Sequence, residues 1–333
     1  MIREKLKLYL VFAMVYFSCN AQPKISAEPV QESAETYQWV KLVDSAIFPK
    51  SYNFQLFAVR DTLWAFHPGG NYHSTDGKNW TKSALSNSIN NLAFLDYIVF
   101  NNAIYGLGYF EGNIERFTFK PNIYKSTDFK KWQTISVHSN IPQRFFYHPY
   151  TFKNKLWIAG GMTQNESFAD LWNSSDAIHW DKVADNLPFG KRENSLVVQF
   201  KERLYLLNND VWSSSDGMTW KQETREILPG IEVFGYAAVV YDDQIWLLGC
   251  NRNGHFSSKV LVSNDGKHWK EMDAPWSPRG GVAACVYKNK IFLTGGKYGG
   301  MDINHPEFEY SNDVWCMEKI HSTATTGTAN IGQ

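Results

Sequence analysis

The sequence predicts an all-β chain in which one four-stranded antiparallel unit recurs six times. Three observations carry this: a turn motif repeated at steps near fifty residues, a hairpin pattern ahead of each copy, and a tryptophan strand displaced to the N-terminus. The motif is S-x-D-x-x-x-W. It occurs as "STDGKNW" (Ser74, Asp76, Trp80), "STDFKKW" (Ser126, Asp128, Trp132), "SSDAIHW" (Ser174, Asp176, Trp180), "SSDGMTW" (Ser214, Asp216, Trp220) and "SNDGKHW" (Ser263, Asp265, Trp269). The Asp-to-Asp steps are 52, 48, 40 and 49 residues, which is the spacing of a supersecondary unit repeated in an array. Ser and Asp side chains bond back to nearby backbone N–H groups in turns, and Gly, present in three copies, tolerates positive φ. The Asp residues are therefore expected to be turn caps rather than catalytic groups.

Ahead of each turn lies an apolar run, a polar turn and a second apolar run. Examples are "YTFKNKLWIAGG" in unit three, "SLVVQFKERLYLLNN" in unit four and "VAACVYKNKIFLTGG" in unit six. Short β-rich runs with polar turns and no sustained 3.6-residue period mean antiparallel strands. A third strand follows ("NIYKS", "DLWNS", "DVWSS", "KVLVS"), then the S-x-D turn, then a fourth strand opening on Trp. Such a unit repeated about six times is the signature of a β-propeller. Unit six has its third strand, Asn312 to Glu318, but no Trp strand after it. At the other end Tyr37–Val43, "YQWVKLV", has a Trp and no turn before it. The N-terminal strand is expected to complete the last blade and close the ring, leaving no free sheet edge.

The Gly pairs Gly69–Gly70, Gly160–Gly161 and Gly295–Gly296 end second strands. With the repeat length and the aromatic strands they resemble the kelch-type, galactose-oxidase-like propellers, over about residues 36 to 318. Unit four departs with Asn208–Asn209 and unit five with Gly249–Cys250. The turn also resembles the Asp-box of sialidase-like propellers, one residue shorter between Asp and Trp.

Residues 1–18 read as a signal peptide: a basic "MIREKLK", then the ten-residue apolar run "LYLVFAMVYF", too short to span a bilayer. "SCNAQ" follows and resembles a bacterial lipoprotein signal, with Cys19 as the lipidated residue; a plain cut after Ala21 is the alternative. Residues 19–35 read as a flexible tether and 319–333 as a disordered tail. The chain is thus expected in the cell envelope, outer membrane or periplasm, or else secreted. Contact with a membrane is expected only through the anchor.

The chain carries 33 basic and 33 acidic residues. Without residues 1–18 the balance is −2, which speaks against a nucleic-acid partner. Of four cysteines, Cys285 and Cys316 fall two strands apart, about 9.5 Å, too far for a disulfide. Cys250, Cys285 and Cys316 are expected to be free and buried. The nine His show no metal-ligand pairing, so no metal or cofactor is expected, and a monomer is.

The long, varied loops fall on the face that holds the starts of the innermost strands. Function on a rigid scaffold usually sits in such loops. Ten residues before the inner hairpin turn, Arg144, Arg192 and Arg279 occupy equivalent places in units three, four and six. They point to an anion site at the channel mouth, since Arg suits bidentate carboxylate binding. Pairing with neighbouring carboxylates such as Glu193 or Glu232 is the structural alternative. The first functional expectation is a binding module for a glycan, an anionic one, or for a surface protein. The other is a carbohydrate-active enzyme, because the resemblance extends to sialidases and kelch-type sialic-acid epimerases. That reading draws its candidate residues from Tyr298, Tyr147, Glu232 and Asp302.

Overall fold

A computed structural model describes residues 36–52, 54–67, 69–84, 95–113, 116–300 and 307–320. Every regular element among them is a strand, and they form a compact unit over Thr36–His321. Cys19 and Asp302 lie outside the described residues.

Five sheets are four-stranded antiparallel meanders in chain order. Unit one, for example, consists of Gln55–Val59, Thr62–His67, Gly70–Ser74 and Thr81–Lys82. Unit three consists of Tyr150–Phe152, Lys155–Ala159, Leu171–Ser174 and Asp181–Ala184. The sheet of unit six is assembled differently. Gly280–Tyr287, Lys290–Gly299 and Val314–Ile320 come from the end of the chain, and its outer strand is Thr36–Val43. Trp39 sits opposite Met317 in that antiparallel pair. Phe308–Tyr310 adds a short extra strand beside Lys290–Gly299.

The S-x-D turns are closed hydrogen-bonding units, which explains their recurrence. In the fourth copy Ser214 Oγ donates to Asp216 Oδ1 (2.9 Å) and accepts from Gly217 N–H (2.9 Å). The same Oδ1 accepts from the N–H groups of Met218 and Thr219 (2.8 and 2.7 Å). The residue after each Asp has positive φ, even where it is Phe129 (62°) or Ala177 (69°). That position meets the preceding sheet. Phe129 stacks on Trp64 of unit one at 5.2 Å. At Gly266 of unit five an added Cβ would fall 2.3 Å from the Tyr205 ring of unit four. Either the turn residue or its neighbour's aromatic ring fills one slot.

Alternating strand residues from adjacent sheets bury six hydrophobic clusters among the described residues. Each joins two successive units, and one joins the last unit to the first, through Tyr287, Phe292 and Cys316 against Phe54, Leu56 and Trp80. The inner strand Gly280–Tyr287 lies against both Ala237–Tyr241 and Gln55–Val59. Cys250, Cys285 and Cys316 are free thiols; Cys285 is only partly buried. Burial pushes the thiol pKa values of Cys285 and Cys316 up to about 12 and about 11, which disfavours the nucleophilic thiolate.

Candidate functional site

A cavity of about 1470 Å³ runs among the inner strands, and all six units line it, with Gln55, Asp96, His148, Asn194, Tyr236 and Gly280 as examples. Aromatic side chains supply much of its wall: Tyr52, Phe57, Tyr97, Phe146, Phe256 and Phe308.

The three arginines are not offered to this cavity as free guanidinium groups. Arg144 is 1% exposed and forks onto Asp170, with bonds of 2.6 and 2.9 Å. It also donates to Gly160 O (2.8 Å) and sits 4.2 Å over the Phe168 ring. Arg279 repeats this with Asp313 (2.6 and 3.0 Å) and Gly295 O (3.3 Å) and is 3% exposed. Arg192 forks onto Asp210 (2.7 and 3.3 Å); it alone of the three borders the cavity. The expected convergence on a ligand is therefore corrected. Charges this deep need partners, and each arginine finds one at the start of its own unit's third strand. A Trp shares the carboxylate in every case: Trp172 Nε1 donates to Asp170 (2.7 Å), Trp212 to Asp210 (2.7 Å) and Trp315 to Asp313 (2.9 Å). The sequence held this signal. The units with an arginine at that place are the units whose third strand begins Asp-Leu-Trp or Asp-Val-Trp. Burial opposes ionisation of Asp170 and Asp313, but the arginine hydrogen bonds outweigh it and hold both carboxyls below their ordinary range.

The other candidates scatter. Glu232 is exposed and borders the cavity. Tyr298 donates its hydroxyl to Glu309 (3.0 Å) and does not line the cavity. Tyr147 is buried and donates to Leu107 O (3.0 Å), so its oxygen is turned away as well. Glu193 accepts from Ser167 (2.9 Å).

Two cavity groups escaped the sequence reading. The first is Lys297, carried to the mouth by Lys290–Gly299 and paired in register with Gly280 on one side and Tyr310 on the other. Its ammonium lies 5.0 Å over the Tyr52 ring and 4.6 Å over the Phe308 ring. Tyr52 in turn stacks on Tyr310 at 5.5 Å. Among the described residues no carboxylate lies within ion-pair distance of it. Burial alone lowers its pKa. The second is His148, whose Nδ1 is 3.4 Å from Asp96 Oδ1 across the boundary between units two and three.

The pattern of the DUF6242 beta propeller domain family matches residues 13–177 and 149–229. The chain belongs to that family. Kelch-like protein 41b of Danio rerio is 24% identical over 186 residues, which is 50% of this chain and 30% of that protein. The chain therefore matches less than a third of that relative's length. The solved structure of YjhT superposes with a TM-score of 0.66 at 13% identity, over 82% of this chain and 96% of that one. The fold is a kelch-type β-propeller, and at this identity the likeness speaks to fold alone.

Proposed function

We propose that the protein is an exported, monomeric six-bladed propeller that binds an acidic saccharide at the mouth of its channel. The observation that carries this reading is Lys297, a half-buried ammonium held between aromatic faces with no carboxylate partner among the described residues. Cation–π contacts offset part of the desolvation and leave the charge unneutralised. A ligand carboxylate would complete the pair. The aromatic walls suit the apolar faces of a sugar ring, and a pocket that is mostly aromatic with a few fixed polar groups is the usual form of a small-ligand site. The anion-seeking cation is thus Lys297 and not the arginine trio.

Six blades closed by the N-terminal strand are supported by the pairing of Thr36–Val43 with Val314–Ile320 and by the cluster shared between the first and last units. Export and lipid attachment at Cys19 rest on the sequence of residues 1–21. Cys19→Ser should release the native protein from the detergent phase; a wild-type protein beginning at Gln22 would overturn the anchor. Against the sialidase-like reading stand Tyr147, whose hydroxyl is spent on Leu107 O, and Tyr298, which has a carboxylate partner in Glu309 but does not line the cavity.

Titration calorimetry with D-glucuronate and D-glucose tests the binding reading. Glucuronate should bind and glucose should bind more weakly. Lys297→Gln should remove a charge-assisted hydrogen bond of about 1.5–3 kcal/mol, roughly ten- to 150-fold in affinity. Equal binding of the two sugars, or an unaffected Lys297→Gln variant, would overturn the assignment.

A further inference from the structure

The segment Arg144–Pro149 reads RFFYHP and is held along its length by side-chain and backbone hydrogen bonds. Arg144 is held by Asp170. Phe145 exchanges backbone hydrogen bonds with Met162, both 2.9 Å. Tyr147 is buried with its hydroxyl on Leu107 O. The carbonyl of Phe146 accepts from Asn194 N–H at 2.9 Å. Phe146 and His148 line the cavity, and both have left-handed backbones, φ 57° and 39°. Asn194, also on the cavity, has φ 56°. Non-glycine residues avoid this region, and a residue before proline is further restricted to extended values. His148 precedes Pro149 and violates both preferences. Such conformations persist where the surroundings over-determine them, and they cluster at ligand sites.

What the strain achieves is placement. The imidazole of His148 reaches Asp96 of the neighbouring unit, yet 31% of the side chain stays accessible in the channel. The ionisable groups on the surrounding elements are Asp96 and Tyr97 of unit two, Tyr147 of its own segment, and Lys191, Arg192 and Glu193 ahead of unit four. Arg192 and Glu193 are engaged with Asp210 and Ser167. Burial lowers the His148 pKa, but the bond and charge of Asp96, with the Asn194 side chain, outweigh it and leave the pKa raised above that of an ordinary histidine.

We propose that His148, fixed by Asp96 and its left-handed backbone, is a second ligand-binding group of the channel, donating a hydrogen bond to a hydroxyl or carboxylate oxygen of the acidic saccharide. The inference rests on the reading of the channel as a saccharide site. It adds a pH dependence: binding should weaken as pH rises through the His148 pKa.

NMR of the intact chain with ring-labelled histidine, tyrosine and phenylalanine tests it, with the His148, Tyr52 and Phe308 signals assigned by their loss in His148→Gln, Tyr52→Leu and Phe308→Leu. The wild-type midpoint should lie above that of an exposed histidine, and Asp96→Asn should lower it. Millimolar D-glucuronate should shift the His148 signal and raise its midpoint. His148→Gln should weaken glucuronate binding by about tenfold, the low end for a bond to a charged group, and flatten its pH dependence. If that variant does not fold, Asp96→Asn is read instead for a shift of the pH dependence of binding to lower pH. Tyr52 and Phe308 signals that move while His148 stays unmoved would overturn this inference and leave the channel reading standing. If none of the three moves, both fall.

Discussion

Asp170→Asn should destabilise the whole propeller, and the buried geometry sets the size of the effect. The side chains of the pair are 1% and 10% exposed, so the substitution leaves the Arg144 charge in place and removes its only carboxylate. Breaking one partner of a buried ion pair costs about 3–5 kcal/mol. Asparagine keeps an oxygen for one guanidinium N–H or for Trp172, which puts the expectation near the low end, about 3 kcal/mol. The unit Thr36–His321 unfolds with an entropy of about 0.6 kcal/mol/K, taking about 2.1 cal/mol/K per residue. The melting temperature should fall by roughly 5 °C. Asp313→Asn, at 4% and 11% exposure, should behave alike. Asp210→Asn, at 13% and 19%, should cost less, because water reaches that pair. Scanning calorimetry of the three variants gives the ranking. Asp170→Asn melting within a degree of wild type, or Asp210→Asn as the most damaging, would refute the account of these arginines as buried structural cations.

Three further outcomes are expected. Gly266→Ala places a Cβ 2.3 Å from the Tyr205 ring at φ 72°, so its denaturant midpoint should fall by more than that of Gly230→Ala, where nothing lies within 4 Å. Trp39 is only half-buried and meets Trp276 edge-on at 4.3 Å, so Trp39→Ala should cost about 2 kcal/mol in urea unfolding, less than a fully enclosed Trp. The turn carboxyls are held low, Asp76 by the backbone N–H of Asn79 above all; at Asp176 burial opposes, but bonds from His179 and the backbone bring it to about 2. Their folded pKa values lie below the unfolded ones, so their stabilisation is complete above about pH 5 and is lost as pH falls through the folded values. Urea midpoints that stay flat from pH 5 to about 2 would contradict this.

The repeats were legible because their turn chemistry is local. Ser, Asp and the residue after it lie within four positions, and the bonds they make are fixed by that spacing. The displaced N-terminal strand was legible for a related reason: a missing Trp at one end and an orphan Trp at the other. The arginines were misread because their equivalent offsets were followed only along the first strands. The carboxylates that neutralise them lie 18 to 34 residues further on, at the start of the third strands, and become visible only when the units are compared side by side. Lys297 and His148 had no sequence signal of this kind. The surroundings of Lys297 come from Tyr52 and Phe308, brought together by packing between the chain's ends. His148 owes its place to a backbone conformation that its own sequence disfavours.

The buried pairs and the channel groups are nevertheless connected through the backbone. Arg144 lies four residues before His148 and holds the segment that presents it. Arg192, on Asp210, lies two residues before Asn194, whose N–H fixes the Phe146 carbonyl. Arg279 donates to Gly295 O, and Lys297 follows two residues later, opposite Gly280. Each arginine therefore ties a first-strand approach to the third strand of its unit and fixes the stretch from which a cavity group projects. Equivalent placement of the three residues marks the segments that carry the cavity's polar groups, because the arginines anchor them.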